Sequence, residues 1–133
     1  ADGVEPASLQ PMIIAEMERM TKAVASAHGL TPHFHYLRGY DSIVNRESGV
    51  QAVAKAAGDI VGKQNVDTNF EAQTWGEDFA YYLQHKPGAF FLVGSGNKAK
   101  GICEPVHSAR FNVDERCLAI GTAVLCRLAL GGL

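Results

Sequence analysis

Five histidines are the first side chains to weigh for chemistry. His33 and His35 stand one residue apart. On a β-strand they share one face at roughly 7 Å, but two imidazoles do not complete a metal site. No Cys or acid lies close to them in sequence, so the pair reads as a solvated strand face. His107 is different. It sits in Glu104-Pro105-Val106-His107-Ser108, a loop without apolar periodicity just before a helix start, and Pro105 stiffens its approach. A loop imidazole held in this way is a better ligand candidate than one on a packed face. A plain surface or capping histidine is the alternative.

Two further groups have chemical types. Glu77-Asp78 is an acidic pair in the expected first turn of a helix. Capping and the helix dipole account for Glu77, whereas Asp78 also suits an active-site wall. Gly94-Ser95-Gly96-Asn97 follows an apolar run and suggests a ligand-cradling turn. It lacks the third glycine of the dinucleotide motif and the Lys-Ser/Thr of a P-loop. Loops leaving the carboxyl ends of parallel strands do, however, form the ligand crevice of α/β folds. The three cysteines, Cys103, Cys117 and Cys126, contain no C-x-x-C pair and are odd in number. They read as reduced thiols of a cytoplasmic protein. Cys117 and Cys126 fall nine residues apart on one expected helix, which argues against their pairing.

The elements that must position these residues follow from periodicity. Residues 1–7 read as a loose lead-in. Leu9, Ile13, Met17, Met20, Val24 and Ala27 then draw one apolar helical stripe, opposite Glu16, Glu18, Arg19 and Lys22. Pro11 falls near its start, and Gly29 ends it as a C′ residue. His33 to Leu37 predicts a strand with Phe34 and Tyr36 on one face. Gly39 to Asn45 is an irregular crossing segment. A second helix is expected from about Ser48 to Val61, with Val50, Val53, Ala54, Ala57, Ile60 and Val61 buried and Gly62 closing it. A short strand is expected near Asn65 to Asp67. Thr74-Trp75-Gly76-Glu77 reads as a capping box opening a helix from Glu77 to about His85, which Pro87-Gly88 stops. Ala89 to Val93 predicts a strand buried on both faces. Val113 to Leu130 predicts a long apolar helix, capped by Asn112 or Asp114 and ended by Gly131-Gly132.

The whole chain bounds the function further. It has 133 residues, 12 Lys+Arg against 14 Asp+Glu, 47 % hydrophobic and 20 % charged residues. These values describe one compact, ordered unit rather than a disordered tail. A net charge of −2 gives no electrostatic reason to bind nucleic acid or an anionic membrane. No apolar run reaches the roughly 18 residues of a membrane helix. The first residues have no basic region and no apolar core, so no signal peptide is expected, and a start without Met fits a trimmed product. The first helix and strand join the rest only through Gly39 to Asn45. A single helix on a single strand leaves apolar surface and backbone groups uncovered.

Four blocks in order carry a resemblance. They are Gly76-Glu77-Asp78-Phe79-Ala80-Tyr81-Tyr82-Leu83, Pro87-Gly88-Ala89-Phe90-Phe91-Leu92-Val93-Gly94, Pro105-Val106-His107-Ser108-Ala109-Arg110-Phe111, and Asp114-Glu115 with the last helix. Together they resemble the C-terminal end of the metal-dependent amidohydrolases that include hippurate hydrolase, aminoacylases and related carboxypeptidases. The upstream Ala27-His28-Gly29 and Tyr36-Leu37-Arg38-Gly39-Tyr40 resemble the last helix and strand of that family's lid. The resemblance covers essentially the whole chain but only about the last third of a family member.

It implies a two-domain α/β di-metal hydrolase. Residues 1–40 would end the lid or dimerisation domain, and residues 41–133 would be the C-terminal part of the catalytic domain. It implies hydrolysis of N-acyl amino acids or peptide-like amides by two divalent ions, zinc or manganese, in the intact protein. The metals activate a bridging water and hold the oxyanion while a Glu takes the proton. His107 matches the family's last metal ligand, and Gly76 with Glu77-Asp78 matches the loop lining the site. Asn45 matches a position near the substrate cleft. Asp41 stands where many members have Pro, and Trp75-Gly76 replaces a usual small-residue pair. The His-x-Asp, Glu-Glu and lid-His blocks of the family have no counterpart in this chain. The expectation is therefore a fragment with no metal and no activity of its own and a homo-oligomeric parent. The alternatives are a non-catalytic remnant serving as a dimerisation module and a simple metal binder using His33, His35 and His107.

Overall fold

The computed structural model describes residues 6–131. Four α-helices carry the architecture: α1 (Pro6–Ala27), α2 (Glu47–Val61), α3 (Phe79–His85) and α4 (Arg116–Gly131). Lys63–Asn65 and Lys98–Lys100 form single 3-10 turns. Of the expected lead-in, residues 1–5 lie outside the described residues, and Pro6 and Ala7 are already helical. Pro6 thereby takes the first-turn place expected for Pro11, which instead lies inside the helix. Gly29 follows α1 at φ 68 and Gly62 follows α2 at φ 88, so both glycines end their helices in conformations that favour glycine. Gly132 lies outside the described residues.

The expected sheet does not form. Among the described residues the only β pairing is an isolated antiparallel bridge between Asn97 and Ile102. His33 to Leu37 keeps the alternation of a strand, with Phe34 and Tyr36 half-buried and His33, His35 and Leu37 exposed, but no ladder partner runs beside it. Ala89 to Val93 is likewise extended and unpaired, and Leu92 is exposed rather than buried. The strand expected over Asn65 to Asp67 does not form: a 3-10 turn takes in Asn65, whose side-chain amide donates to the Val61 carbonyl at 2.7 Å, and Val66 and Asp67 have no regular structure. A strand is stable only when its N–H and C=O groups meet a neighbour, and among the described residues no second segment supplies one.

Among the described residues one pair of α-helices packs together. α2 lies on α4, with Ala56 and Val124 buried and Arg127 of α4 donating to Asp59 of α2 at 3.1 Å. The buried side of α2 is narrower than the sequence suggests. Gly49 and Ala56 are buried, Val50, Val53, Ala54, Ala57 and Val61 are half-buried, and Ile60 is exposed. Among the described residues α1 packs on no other helix. Its stripe of Leu9, Ile13, Met17, Met20 and Val24 is exposed, while Glu16–Arg19 and Glu18–Lys22 ion pairs dress its polar side. The chain exposes 10863 Å². A compact monomer of this mass exposes about 6,800 Å². The excess lies in unpartnered surface of the kind α1 presents.

Candidate functional site

Two of the three candidate residues come into one neighbourhood. The crossing segment, the Trp75-Gly76 loop, α3 and the extended run after Gly88 meet there. Asn45 grips that run with its side-chain amide. Its Oδ1 accepts from the Phe90 N–H at 2.8 Å and its Nδ2 donates to the Phe90 carbonyl at 3.0 Å. The adjacent Arg46 N–H donates to the Gly88 carbonyl at 2.9 Å. A side chain thus supplies the two bonds that a strand neighbour would have made. One amide N–H and one lone pair of Asn45 remain for another partner.

Gly76 lies against the ring of Tyr40, so a Cβ there would stand 3.4 Å from the Tyr40 ring. Tyr40 in turn meets Tyr81 of α3 edge to face at 5.9 Å. Asp41 ties the same elements by accepting from Arg38 at 3.1 Å and from Gln84 of α3 at 2.6 Å. Trp75 meets Phe90 at 6.2 Å with the rings 64° apart, and Phe79 touches both Phe90 and Tyr82. Spacing placed Phe90 in a buried strand and did not single out Trp75 or its ring partners. The signal was a lone tryptophan beside a glycine where small residues are usual.

The expected capping box is not made. α3 begins at Phe79 rather than Glu77, with Asp78 as its N-cap and no side-chain cap bond. The Glu77 carboxylate accepts from the Asp78 N–H at 3.0 Å instead of reaching back to Thr74. Trp75 packs on Phe90, and residues 75–77 stay outside the helix.

His107 stands elsewhere, exposed at the tip of the Cys103–Val113 loop. Its φ of 72 makes it the one non-glycine residue with positive φ among the described residues. Such a conformation costs about 1 kcal/mol or more and persists only when neighbours enforce it. The enforcement is visible. Glu104 accepts from Ser108 at 3.3 Å and pairs with Arg110 at 2.8 Å, and the Arg110 N–H donates to the Ser108 hydroxyl at 3.2 Å.

The base of this loop is clamped by Asp114, which is 5 % exposed. Its N–H donates to the Ser95 carbonyl at 2.8 Å. Its carboxylate accepts from Arg116 at 2.8 and 3.1 Å, from the Asn97 amide, and from Lys100 at 3.2 Å. Asn97 also exchanges two backbone bonds with Ile102, at 2.8 and 2.9 Å, so both ends of the His107 loop are tied to one turn. Hydrogen bonds from Arg116 first, then Asn97, hold the Asp114 carboxyl well below the ordinary carboxylate range, and Asp114 raises the Arg116 guanidinium. The Gly94–Asn97 turn therefore serves as half of a loop clamp. Sequence reading saw Asp114 as one of two possible helix caps and as part of a family block; at the start of α4 its carboxylate accepts from the Arg116 N–H at 3.3 Å and its backbone carbonyl from the Cys117 N–H at 2.9 Å.

A metal centre is not assembled by these residues. Among the described residues no three of His, Cys, Asp and Glu stand together, and one imidazole does not hold an ion. Cys103, Cys117 and Cys126 are free thiols. No helix of the described residues is long and apolar enough to cross a membrane.

Comparison with known proteins gives one consistent picture. The family model of peptidase family M20/M25/M40 matches residues 5–131. Thermostable carboxypeptidase 1 of Saccharolobus solfataricus is 31 % identical over 115 residues, covering 86 % of this chain and 28 % of that protein. The IAA-amino acid hydrolase ILR1-like 6 of Arabidopsis thaliana is 30 % identical over 90 residues, covering 68 % of this chain and 19 % of its own length. The N-acetylcysteine deacetylase of Bacillus subtilis is 28 % identical over 114 residues, covering 86 % and 28 %. The chain spans less than a third of the length of these relatives. No solved structure matches the chain.

Proposed function

The chain belongs to peptidase family M20/M25/M40, a family of hydrolases, and from that premise we propose that it is the C-terminal part of a metal-dependent enzyme cleaving N-acyl amino acids of the hippurate type. The supporting observation is a family match across nearly the whole chain combined with coverage of less than a third of each relative. In this reading residues 1–40 close a lid and residues 41–133 close the catalytic domain. His107 supplies one metal bond from a loop whose backbone is held in an unusual conformation. Asn45 and Gly76 line the substrate cleft, where the remaining N–H and lone pair of Asn45 face an amide or carboxylate of the substrate. The other metal ligands and the Glu base come from sequence outside these 133 residues. Two divalent ions, zinc or manganese, would supply the activated water. Three free thiols support a reducing compartment such as the cytoplasm.

Association belongs to the same proposal. The exposed stripe of α1 and the unpaired His33–Leu37 segment are surfaces that a second copy, or the missing part of the lid, would cover. The test uses the complete reading frame. Its product should hydrolyse N-benzoylglycine with zinc or manganese, and the 133-residue chain should not. A full-length product that binds no metal and cleaves neither N-benzoyl nor N-acetyl amino acids would leave an interaction module as the better account.

A further inference from the structure

A helix start asks little of its cap. One side-chain oxygen bonding one backbone N–H is enough, and Asn or Ser serves as well as Asp. Asp114 does more than that. Its carboxylate is buried and accepts from the Asn97 side chain, from Lys100 at 3.2 Å and from the Arg116 guanidinium at 2.8 and 3.1 Å. Burying a carboxylate costs free energy, and a neutral cap would close α4 without that cost. The partners show what the charge holds. Asn97 and Lys100 belong to the turn from which the His107 loop departs, and Asn97 exchanges backbone bonds with Ile102, the residue before that loop. Asp114 itself is the residue after it. One side chain therefore ties the entry of the Cys103–Val113 loop to its exit.

His107 depends on that tie. The bonds inside the loop run through Glu104, Ser108 and Arg110, and the Ser108 and Phe111 N–H groups donate to the Pro105 and Ser108 carbonyls at 3.2 and 3.0 Å. Among the described residues none of these bonds engages the His107 imidazole. The ring is exposed and open to a ligand bond, and its position follows from a backbone at φ 72.

We propose that Asp114 is a positioning residue for His107, holding both ends of its loop through Asn97, Lys100 and Arg116 so that the imidazole is presented in one orientation. The inference rests on the hydrolase reading above, in which His107 bonds a divalent ion whose other ligands lie outside these residues. Groups that orient a ligand from behind typically change metal affinity by about 10–100-fold.

The complete gene product is compared as wild type, Asp114→Asn, Asn97→Ala and Val124→Ala. Asp114→Asn keeps the shape and removes the charge. Asn97→Ala removes one tie and leaves Asp114 in place, so the test survives if either variant fails to fold. Val124→Ala controls for stability alone, because it opens a cavity in the α2–α4 core. Zinc affinity is read by competition with a chelator. Asp114→Asn weakens it about tenfold or more and Asn97→Ala in the same direction, while Val124→Ala lowers the melting point and leaves zinc affinity unchanged. Hydrolysis of N-benzoylglycine by dialysed Asp114→Asn falls and returns with excess zinc, which a damaged fold would not allow. A second readout needs no metal. In zinc-free protein, deuterium exchange at the Ser108 and Phe111 amides is faster in Asp114→Asn and Asn97→Ala than in the wild type, and unchanged in Val124→Ala. Zinc affinity unchanged in Asp114→Asn, or weakened equally in Val124→Ala, overturns the proposal and leaves the hydrolase reading intact. A wild type that binds no zinc removes the hydrolase reading, and exchange then decides alone. Faster exchange in Asp114→Asn sustains the hold on the loop, and exchange as slow as in the wild type overturns it.

Discussion

Gly49→Ala is the substitution for which helix propensity and tertiary packing make opposite forecasts. Gly49 is the third residue of α2 and is buried. Within a helix, replacing Gly by Ala stabilises by about 1 kcal/mol. Here a Cβ would stand 2.6 Å from the Gly88 carbonyl carbon, 2.8 Å from its oxygen and 2.9 Å from the Ala89 nitrogen. Ordinary carbon contacts lie at about 3.5–4.0 Å, so the backbones must separate by about 1 Å. That displacement stretches the Arg46–Gly88 bond, now 2.9 Å, beyond hydrogen-bond range and strains the Asn45–Phe90 pair beside it. Overpacking of this kind costs about 1–3 kcal/mol, and each disrupted bond adds about 1 kcal/mol. After the propensity gain, the net loss is about 3 kcal/mol, or a melting point about 10 °C lower. Gly58→Ala is the control on the same helix, because its Cβ would approach Lys63 Cγ at 3.2 Å, a side-chain atom that can yield by a few tenths of an ångström, and would meet the Lys63 backbone only at ordinary contact distances of 3.7 and 3.9 Å. That variant should be neutral or stabilised by up to about 1 kcal/mol. Circular dichroism melts of both variants, with hydrogen exchange on the α2 amides, decide the matter. A Gly49→Ala protein melting at or above the wild type would refute the close approach of α2 to Gly88.

Three other outcomes are expected. The carboxyl of Asp114 is held below its ordinary value, so its contribution to stability is complete above about pH 4 and is lost as pH falls through the lowered value. Asp114→Asn should therefore be less stable than wild type at pH 7, and the difference should shrink in acid melts; a gap that stays constant down to pH 2 would contradict the clamp. His107→Gly should relieve the positive φ and leave stability unchanged or raised by up to about 1 kcal/mol, while His107→Ala should not gain. In the complete protein both should lose metal, as read by elemental analysis, and normal metal content would remove His107 from the site. The 133-residue chain should associate in light scattering through residues 9–37, and a strict monomer protecting that segment as well as α4 would show that the segment finds its cover within one chain.

Local rules were enough for much of this chain. The α1 stripe, the glycines that end α1 and α2, the stop after α3 and the apolar last helix depend on neighbours within a few residues, and they are readable from spacing. The alternation of Phe34 and Tyr36 was also legible, because the pleat is a property of one strand. The ordered family blocks identified the chain for the same reason: they are linear. Whether His33–Leu37 or Ala89–Val93 joins a sheet was not local, since a ladder needs a partner at a distance in sequence. Here the side chain of Asn45 binds the Phe90 backbone, 45 residues away, in the place of a strand neighbour. The capping box at Thr74 failed because Trp75 packs on Phe90 and the Glu77 carboxylate turns to its neighbour Asp78. Asp114 could be read as a cap from its position, but its place beneath the His107 loop depends on Ser95, Asn97 and Lys100 folding back upon it. Sequence fixes what each segment prefers within a turn or two of backbone. Contacts between segments tens of residues apart decide which preferences are met, because only there do buried hydrogen-bonding groups find or lack their partners.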